Sequence, residues 1–522
     1  MTVNSLFFLL FLGILYLVYY VVCPLKYRWI ALLGASVIFY ALACAASPVY
    51  LVLTSISIWA AGIGMERLEQ ECRQMIAGKK DSAAALKKQY KKKKKKILTI
   101  AVIFNLGILL ILKYGGFFAG IGNTLLSFTG VHIPVPKFLI PLGISYYTLI
   151  AIGYLMDIYK GKIQAQKNYA KLLLFLAYFP QMTQGPMNRY KPMAAQLYEG
   201  HTFDYHNFSY GCQRMLWGFF KKMVVADNLR PVMQSIFDNY AQLSGITCFL
   251  GCIYMTVWMY ADFSGYMDIV AGASELFGIH IEENFRRPFF AQSLAEYWRR
   301  WHITLSSWFR DYMFYPLAVS SPAAKFGKLG RKWFGTRVGK LFPSLFALVF
   351  VWTSTGLWHD ASWRYILWGA ANGVFIMGAM ILEPYFTKAK EFLHIRQESR
   401  GWKLFCIIRT FLLVSLLKVF PGPADTASTL QFTKKIFTDI RMPAGWSEVL
   451  PGLSKENVLF LGCALLLMFA VDLLQEKQPV RDTLAKKPML VRWFCYFAVL
   501  GVILAIGQFN VSMTGGFAYA QF

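Results

Sequence analysis

Apolar positions in this chain fall in long unbroken blocks, not in the alternation of a half-buried strand. No charged residue lies between Trp29 and Met65, between Leu341 and Trp358, between Tyr365 and Leu382, or from Trp493 to Phe522. A helix needs roughly 20 apolar residues to cross a bilayer core. The block from Trp29 to Met65 is long enough for two crossings broken at Pro48. The pattern predicts spans near residues 5–22, 29–46, 48–64, 97–114, 138–158, 342–358, 363–382, 403–420, 456–473 and 491–509. The expected fold class is therefore all-α, a polytopic integral membrane protein with roughly 10 to 12 transmembrane helices. The run from Met1 to Val22 has no basic segment ahead of it and reads as the first retained span, not as a secretory leader.

The middle of the chain has a different texture. From Gln181 to Tyr315, apolar and charged stretches alternate and are interrupted by Gln184-Gly185-Pro186, Phe263-Ser264-Gly265-Tyr266 and Arg286-Arg287-Pro288. Irregular, partly polar backbone survives at membrane depth only where protein or a water-filled cavity surrounds it. This region is expected to form re-entrant or interfacial helices lining a cavity.

Composition agrees with the pattern. Of 522 residues, 57% are hydrophobic and only 16% charged, too few charges to cover several soluble domains. The formal charge of +27 would suggest nucleic acid in a soluble protein. Here the basic residues sit between spans, where they orient the chain, because Lys and Arg collect on the cytoplasmic side. The segments Glu66–Lys96, Lys325–Lys340, Lys388–Lys403 and Lys477–Arg492 are accordingly expected to be cytoplasmic loops, which puts the amino terminus outside. The nine cysteines form no CxxC pair and no metal-like spacing with histidine, so no metal is expected. No Gly-x-Ser-x-Gly elbow and no Walker A loop occurs, so neither a serine hydrolase nor a P-loop ATPase is supported. No internal repeat is visible, which weighs against many secondary-transporter folds.

Seven histidines are present, and five of them (His132, His201, His206, His280, His394) lie in polar or loop contexts. His302 does not. The segment Glu296–Tyr312 reads as one helix with Trp298, Trp301, Leu305, Trp308, Phe309 and Tyr312 on one face, and His302 in the middle of that face. A packed histidine donating to a buried carbonyl accounts for it as well as a chemical role does. His359 ends an uncharged span that begins at Lys340, within Gly356-Leu357-Trp358-His359-Asp360-Ala361-Ser362-Trp363. An ionisable pair at the tip of a membrane hairpin points to function by default. An external loop histidine beside an exposed Asp360 is the competing account. A neutral imidazole there would suit a general base that takes a proton from an acceptor hydroxyl attacking a thioester.

Several ordered runs then resemble a known family: Pro141-Leu142-Gly143-Ile144-Ser145-Tyr146-Tyr147-Thr148, Asp157-Ile158-Tyr159-Lys160-Gly161, Phe179-Pro180-Gln181, Ala261-Asp262-Phe263-Ser264-Gly265-Tyr266-Met267-Asp268, and Glu283-Asn284-Phe285-Arg286-Arg287-Pro288. The most specific are Trp298-Arg299-Arg300-Trp301-His302-Ile303-Thr304-Leu305-Ser306-Ser307-Trp308 and Gly356-Leu357-Trp358-His359. In order and spacing, through to Tyr519-Ala520-Gln521-Phe522, the chain resembles the membrane-bound O-acyltransferases, within them the branch of the alginate O-acetylation membrane proteins.

The resemblance implies a ring of helices around a thin central region with a tunnel. It implies a single membrane domain over residues 1–522: amino-terminal spans to 137 with the basic loop 66–96, a catalytic core over 138–383, and carboxy-terminal spans over 384–522. His359 would be the catalytic histidine and His302 the second motif histidine. Trp298, Trp301, Asn284, Asp262, Ser264 and Trp358 would line the tunnel or touch substrate. The donor would be acetyl-CoA or a related acyl thioester, as substrate and not cofactor. The acceptor would be an extracytoplasmic polysaccharide, reached directly or through an SGNH-hydrolase-like partner, in a multi-pass bacterial cell-membrane protein that binds no nucleic acid. Three features depart from the family pattern: Pro421-Gly422-Pro423-Ala424-Asp425 replaces a Phe-Arg-Ala-like run, Asn372 stands where many relatives have histidine, and Ala520 where an aromatic is common.

Two other function classes compete. A transporter or flippase for glycan or lipid would use intramembrane acids such as Asp157, Asp262, Asp268 and Asp472 as a proton relay. A scaffold anchoring a surface enzyme would need neither histidine.

Overall fold

The computed structural model describes residues 2–44, 48–78, 83–136 and 138–509. Lys79, Lys80 and the closing Tyr519–Phe522 run, with Ala520, lie outside the described residues. The protein is helical, and among the described residues the one β pairing is an isolated antiparallel bridge between Phe285 and Trp301.

Among the described residues, seven helices are long and apolar enough to cross a bilayer: Leu25–Ala43, Val49–Ala77, Ala83–Thr129, Gly245–Glu275, Trp363–Phe392, Lys455–Gln475 and Met489–Ile506. Phe342–His359 makes an eighth when taken with Ser321–Gly339, from which it is bent by 98°. Three further stretches that hydropathy marks as spans are shorter helices. Leu6–Leu17 continues through the π-helical turn Val18–Val22, about 26 Å in all at 1.5 Å per residue. Ile144–Tyr159 is 16 residues long and buried on every side except at Met156 and Tyr159, so its apolar character serves the protein core and not lipid. Arg400–Leu416 carries Lys403 and Arg409 within its 17 residues. The opposite extreme is Met489–Ile506, which buries only Ile503 and exposes Leu490, Phe494 and Phe497, the outside of a lipid-facing helix.

The chain divides into two compact units. The first comprises Met1–Cys212 and Val270–Glu282. In it, Val49–Gly78 and Ala83–Leu109 run antiparallel, pinned by Lys94 to Glu69 at 2.9 Å and by the Asn105 amide donating to Ser57 Oγ at 2.9 Å. The basic segment expected as a loop is thus helical on both sides of its tip. Its Lys, Glu, Gln and Ala residues are good helix formers and have no reason to uncoil.

The second unit comprises Gln213–Ile269 and Glu283–Phe522. Its central feature is the hairpin of Phe342–His359 and Trp363–Phe392, joined by Asp360-Ala361-Ser362. Glycines let the two backbones touch. A Cβ on Gly356 would stand 2.3 Å from the Tyr365 carbonyl oxygen, and one on Gly369 would stand 2.4 Å from that of Trp352. A second basic segment expected as a loop, Lys325–Lys340, is also largely helical, with a kink at Gly335. Ser321–Gly339 starts at Ser320, whose Oγ accepts from Ala323 N. Its near-perpendicular approach to the next helix suits a basic helix lying along a membrane surface.

The Phe263-Ser264-Gly265-Tyr266 run, expected to break a helix, lies inside the continuous helix Gly245–Glu275. Gly265 is there for closeness, since its Cβ would meet the Gly218 carbonyl oxygen at 2.9 Å. The irregularity falls on the facing segment instead, where Phe220–Ala226 is a π-helical turn.

Candidate functional site

The periodicity that makes Glu296–Tyr312 look like one helix is interrupted at His302. Leu294–Arg300 ends at an extended Trp301, His302 takes left-handed backbone angles (φ 46°, ψ 52°), and Ile303–Phe309 begins anew. A non-glycine residue in that region costs of order 1–3 kcal/mol and persists only when its surroundings hold it. Asn284 does the holding. Its backbone carbonyl accepts from Ile303 N at 3.0 Å, and its side-chain Oδ1 accepts from Thr304 N at 3.0 Å and Thr304 Oγ1 at 2.9 Å. Next to it, Arg286 N donates to the Arg300 carbonyl at 2.9 Å, so residues 284–286 run antiparallel beside 300–303. Asn284 thereby caps the second helix from outside it. His302 correspondingly sits at a break and not in mid-face.

The same amide sets the histidine's tautomer. Asn284 Oδ1 already accepts from Thr304, so at 3.2 Å it takes the Nδ1 proton of His302, leaving Nε2 with its lone pair. His302 is 1% exposed, and burial drives its pKa down to about 3. The ring is neutral at physiological pH. Between pH 6.5 and about 3 the unfolded chain binds a proton here that the folded chain refuses, so stability falls as pH drops through that window. His302→Gln is expected to flatten that fall in a detergent melting series. Equal slopes for the two proteins would count against a neutral buried ring.

His359 closes its helix, and its backbone turns out at the extended Asp360. It is buried, 4% exposed, which removes the exposed-loop account. Aromatic rings wall it: Trp358 at 5.0 Å, Trp368 edge-on at 5.0 Å and Tyr365 roughly parallel at 6.0 Å. Trp358 also lies 5.8 Å from the His302 ring, and Phe263 covers His302 at 4.9 Å. The two histidines therefore share one aromatic wall. Trp298 packs on Trp368 and Trp352 at 5.5 and 5.1 Å and donates its indole N–H to Asn372 Oδ1 at 3.2 Å. Asn372 in turn donates to the Trp368 carbonyl at 2.8 Å, which gives this departure from the family pattern a clear positional role. Trp301 stacks on Tyr297 and meets Phe285 edge-on. The other departure ends at Asp425, whose carboxylate caps the helix Thr426–Thr438 through Ser428 N at 2.7 Å.

Asp262 and Ser264, on either side of Phe263 in the helix, pair with buried lysines. Consecutive helix residues point about 100° apart, so while Phe263 touches His302 its two neighbours turn to an ionic cluster. Lys222 Nζ lies 2.7 Å from both Asp262 and Asp227. Lys221 Nζ donates to Ser264 Oγ at 2.9 Å and lies 2.6 Å from Asp268, which also pairs with Arg214 at 3.1 Å. The two lysines were missed in the sequence. Their signal was a Lys pair followed by Asp227 inside the apolar run from Met215. The acids named for a proton relay are each engaged: besides these, Asp472 accepts from Tyr260 OH at 2.8 Å and Asp157 faces Lys162 at 3.9 Å.

In the first unit, a cavity of about 480 Å³ is lined by Glu66, Glu69, Arg73, Lys94, Lys162 and Lys191 among others. Glu69 already pairs with both Arg73 and Lys94.

Comparisons with known proteins bear on this geometry. The model of the MBOAT, membrane-bound O-acyltransferase family, matches residues 165–330, a stretch that includes Asn284 and His302 and ends before His359. A protein of Azotobacter vinelandii named "Probable alginate O-acetylase AlgI" is 32% identical over 71% of this chain. The match spans 66% of that relative's own length, just under two thirds. A protein of the same name in Pseudomonas putida is 32% identical over 72% of this chain and 69% of its own. The chain belongs to the membrane-bound O-acyltransferase family. This membrane-bound O-acyltransferase-family protein is also 28% identical, over 65% of its length, to a protein of Helicobacter pylori named "Peptidoglycan O-acetyltransferase", of which the match covers 64%. These relatives are bacterial and are named for O-acetylation of alginate or peptidoglycan.

Proposed function

We propose that this family member moves an acyl group, most simply acetyl, from a cytoplasmic acyl-CoA thioester to a hydroxyl outside the cytoplasm, with His359 as general base. The observation that carries the reading is the shared aromatic wall: two motif histidines from different elements are buried on either side of Trp358. His359 takes the acceptor's hydroxyl proton as that oxygen bonds to the thioester carbonyl carbon. The carbonyl electron pair moves onto its oxygen, then returns as the C–S bond breaks. The leaving thiolate takes the proton from the imidazolium. His302, held neutral with Nε2 as an acceptor, orients a hydroxyl or water and takes no net proton.

Geometry supports a transfer that also crosses the bilayer. His359 ends an 18-residue helix, about 27 Å from the basic Lys325–Lys340 segment on which a polyanionic CoA would be attracted. The acceptor in this reading is an extracytoplasmic polysaccharide, in keeping with relatives named for alginate and peptidoglycan, and the partner that the family resemblance implies is an SGNH-hydrolase-like protein. The full-length protein in vesicles, given acetyl-CoA labelled in the acetyl group on its cytoplasmic face, is expected to release free CoA and pass label to glycan hydroxyls. Glycan movement without CoA release would replace this reading with the flippase.

A further inference from the structure

Lys418 is a buried cation that the mechanism above does not use. It sits in the short 3-10 turn Leu417–Val419 and is 4% exposed. Its ammonium lies over two indoles, 5.7 Å from Trp301 and 5.9 Å from Trp368, and 3.3 Å from Met259 Sδ. Among the described residues no carboxylate pairs with it, and its titratable neighbour is the buried Cys252 thiol. The nearby lysines differ in this respect: Lys222 is held by two aspartates and Lys221 by one.

An ammonium taken out of water without an acid carries a desolvation penalty that aromatic faces offset only in part. A methionine would fill the same space without that penalty. A negative charge brought beside this ammonium would be strongly stabilised. Its position bears on which charge that is. Trp368, one of the two indoles under Lys418, is also the ring that meets His359 edge-on at 5.0 Å. Trp301, the other, precedes His302 in the chain. Lys418 follows a 17-residue helix that leaves the basic Lys388–Lys403 segment, about 25 Å long, much as His359 ends one that leaves Lys340. Both groups lie at the far ends of helices that begin at basic segments.

We propose that Lys418 is the fixed counter-charge of the transfer site, stabilising the negative charge that develops on the thioester carbonyl oxygen when the acceptor oxygen attacks. The inference rests on the acyl-transfer reading. In the step concerned, the acceptor O–C bond forms, the C=O pair moves onto oxygen, and the hydroxyl proton goes to His359. The C–S bond then breaks as the pair returns, and the thiolate takes that proton. Lys418 keeps all its protons throughout. A charge held in place in a water-excluded site needs no reorganisation when the oxyanion appears, which is why such groups act on turnover more than on binding.

The test uses Lys418→Met and Lys418→Gln in the full-length protein, with His359→Gln assayed in parallel. Both neutral variants are expected to lower kcat by about 10²–10³-fold with KM little changed, the range for losing one oxyanion-stabilising group. Lys418→Met is expected to melt no lower than wild type in detergent, and Lys418→Arg to recover part of the turnover. A kcat within about threefold of wild type in either neutral variant overturns the inference. So does a change confined to KM, or a loss that tracks lowered thermal stability in both. If His359→Gln is also fully active, the acyl-transfer reading itself has failed; if His359→Gln is inactive and the Lys418 variants are normal, only the counter-charge has.

Discussion

His359→Gln is expected to lower the acyl-transfer rate by about 10²–10⁴-fold, the usual contribution of a positioned general base. The substitution keeps a polar side chain of similar reach but removes the imidazole nitrogen that would take the proton. The fall should appear in kcat, because the base acts only as the acceptor oxygen attacks. The ring is enclosed by Trp358, Tyr365 and Trp368, none of which can replace it as a base. Glutamine fits among them with one unsatisfied amide at worst, so the variant is expected to reach the membrane and to melt within a few degrees of wild type. The measurement is single-turnover release of CoA together with size-exclusion behaviour in detergent. A well-folded His359→Gln protein with at least a third of wild-type turnover would remove His359 from the chemistry. His302→Gln is expected to be milder, because burial makes this ring a weak base, suited to orientation and not to proton transfer.

The largest effect on folding is expected at Lys222. Its side chain is completely buried between Asp227 and Asp262, each 2.7 Å away and buried as well. Removing one partner of a buried ion pair costs about 3–5 kcal/mol, because the remaining charge is left uncompensated. Lys222→Met leaves two facing carboxylates, against a total stability of only about 5–15 kcal/mol for a typical domain. The expected result is near-complete loss of monodisperse protein after detergent extraction. Neutralising both acids in the same chain, as Lys222→Met with Asp227→Asn and Asp262→Asn, is expected to restore most of it. A Lys222→Met protein that extracts normally and melts within about 2 °C of wild type would mean that the cluster is not structural. The two experiments also separate roles, since the histidine should affect rate without fold and the lysine fold before rate.

Particular elements show what was legible beforehand. The hairpin Phe342–His359 and Trp363–Phe392 is visible because two uncharged runs are separated by a short polar turn; the turn falls where expected, but the second helix runs ten residues past the expected end at 382. Glu296–Tyr312 reads as one helix in the sequence because its apolar spacing is helical on both sides of the break at His302. The interruption comes from Asn284, eighteen residues upstream, and long-range hydrogen bonds leave no mark on local periodicity. The basic segments were expected as loops because charge density locates a membrane face without specifying backbone conformation. Ile144–Tyr159 looked like a span because composition cannot separate burial in protein from burial in lipid. The motif implies that Asp262 and Ser264 line the tunnel, and in the fold helical rotation turns them to Lys222 and Lys221.

By itself, the sequence determined that this protein is a multi-pass membrane protein, which family it resembles, and which two histidines to examine. Those properties rest on composition, run length and ordered motifs, all of them one-dimensional. The tertiary structure decided that His302 is neutral and tilted out of a helix by Asn284, that both histidines share Trp358, and that Lys418 stands on Trp368 with no carboxylate paired to it among the described residues. These depend on which groups meet across tens to hundreds of residues. Desolvation and hydrogen bonding act over a few ångströms of space, whatever the distance along the chain.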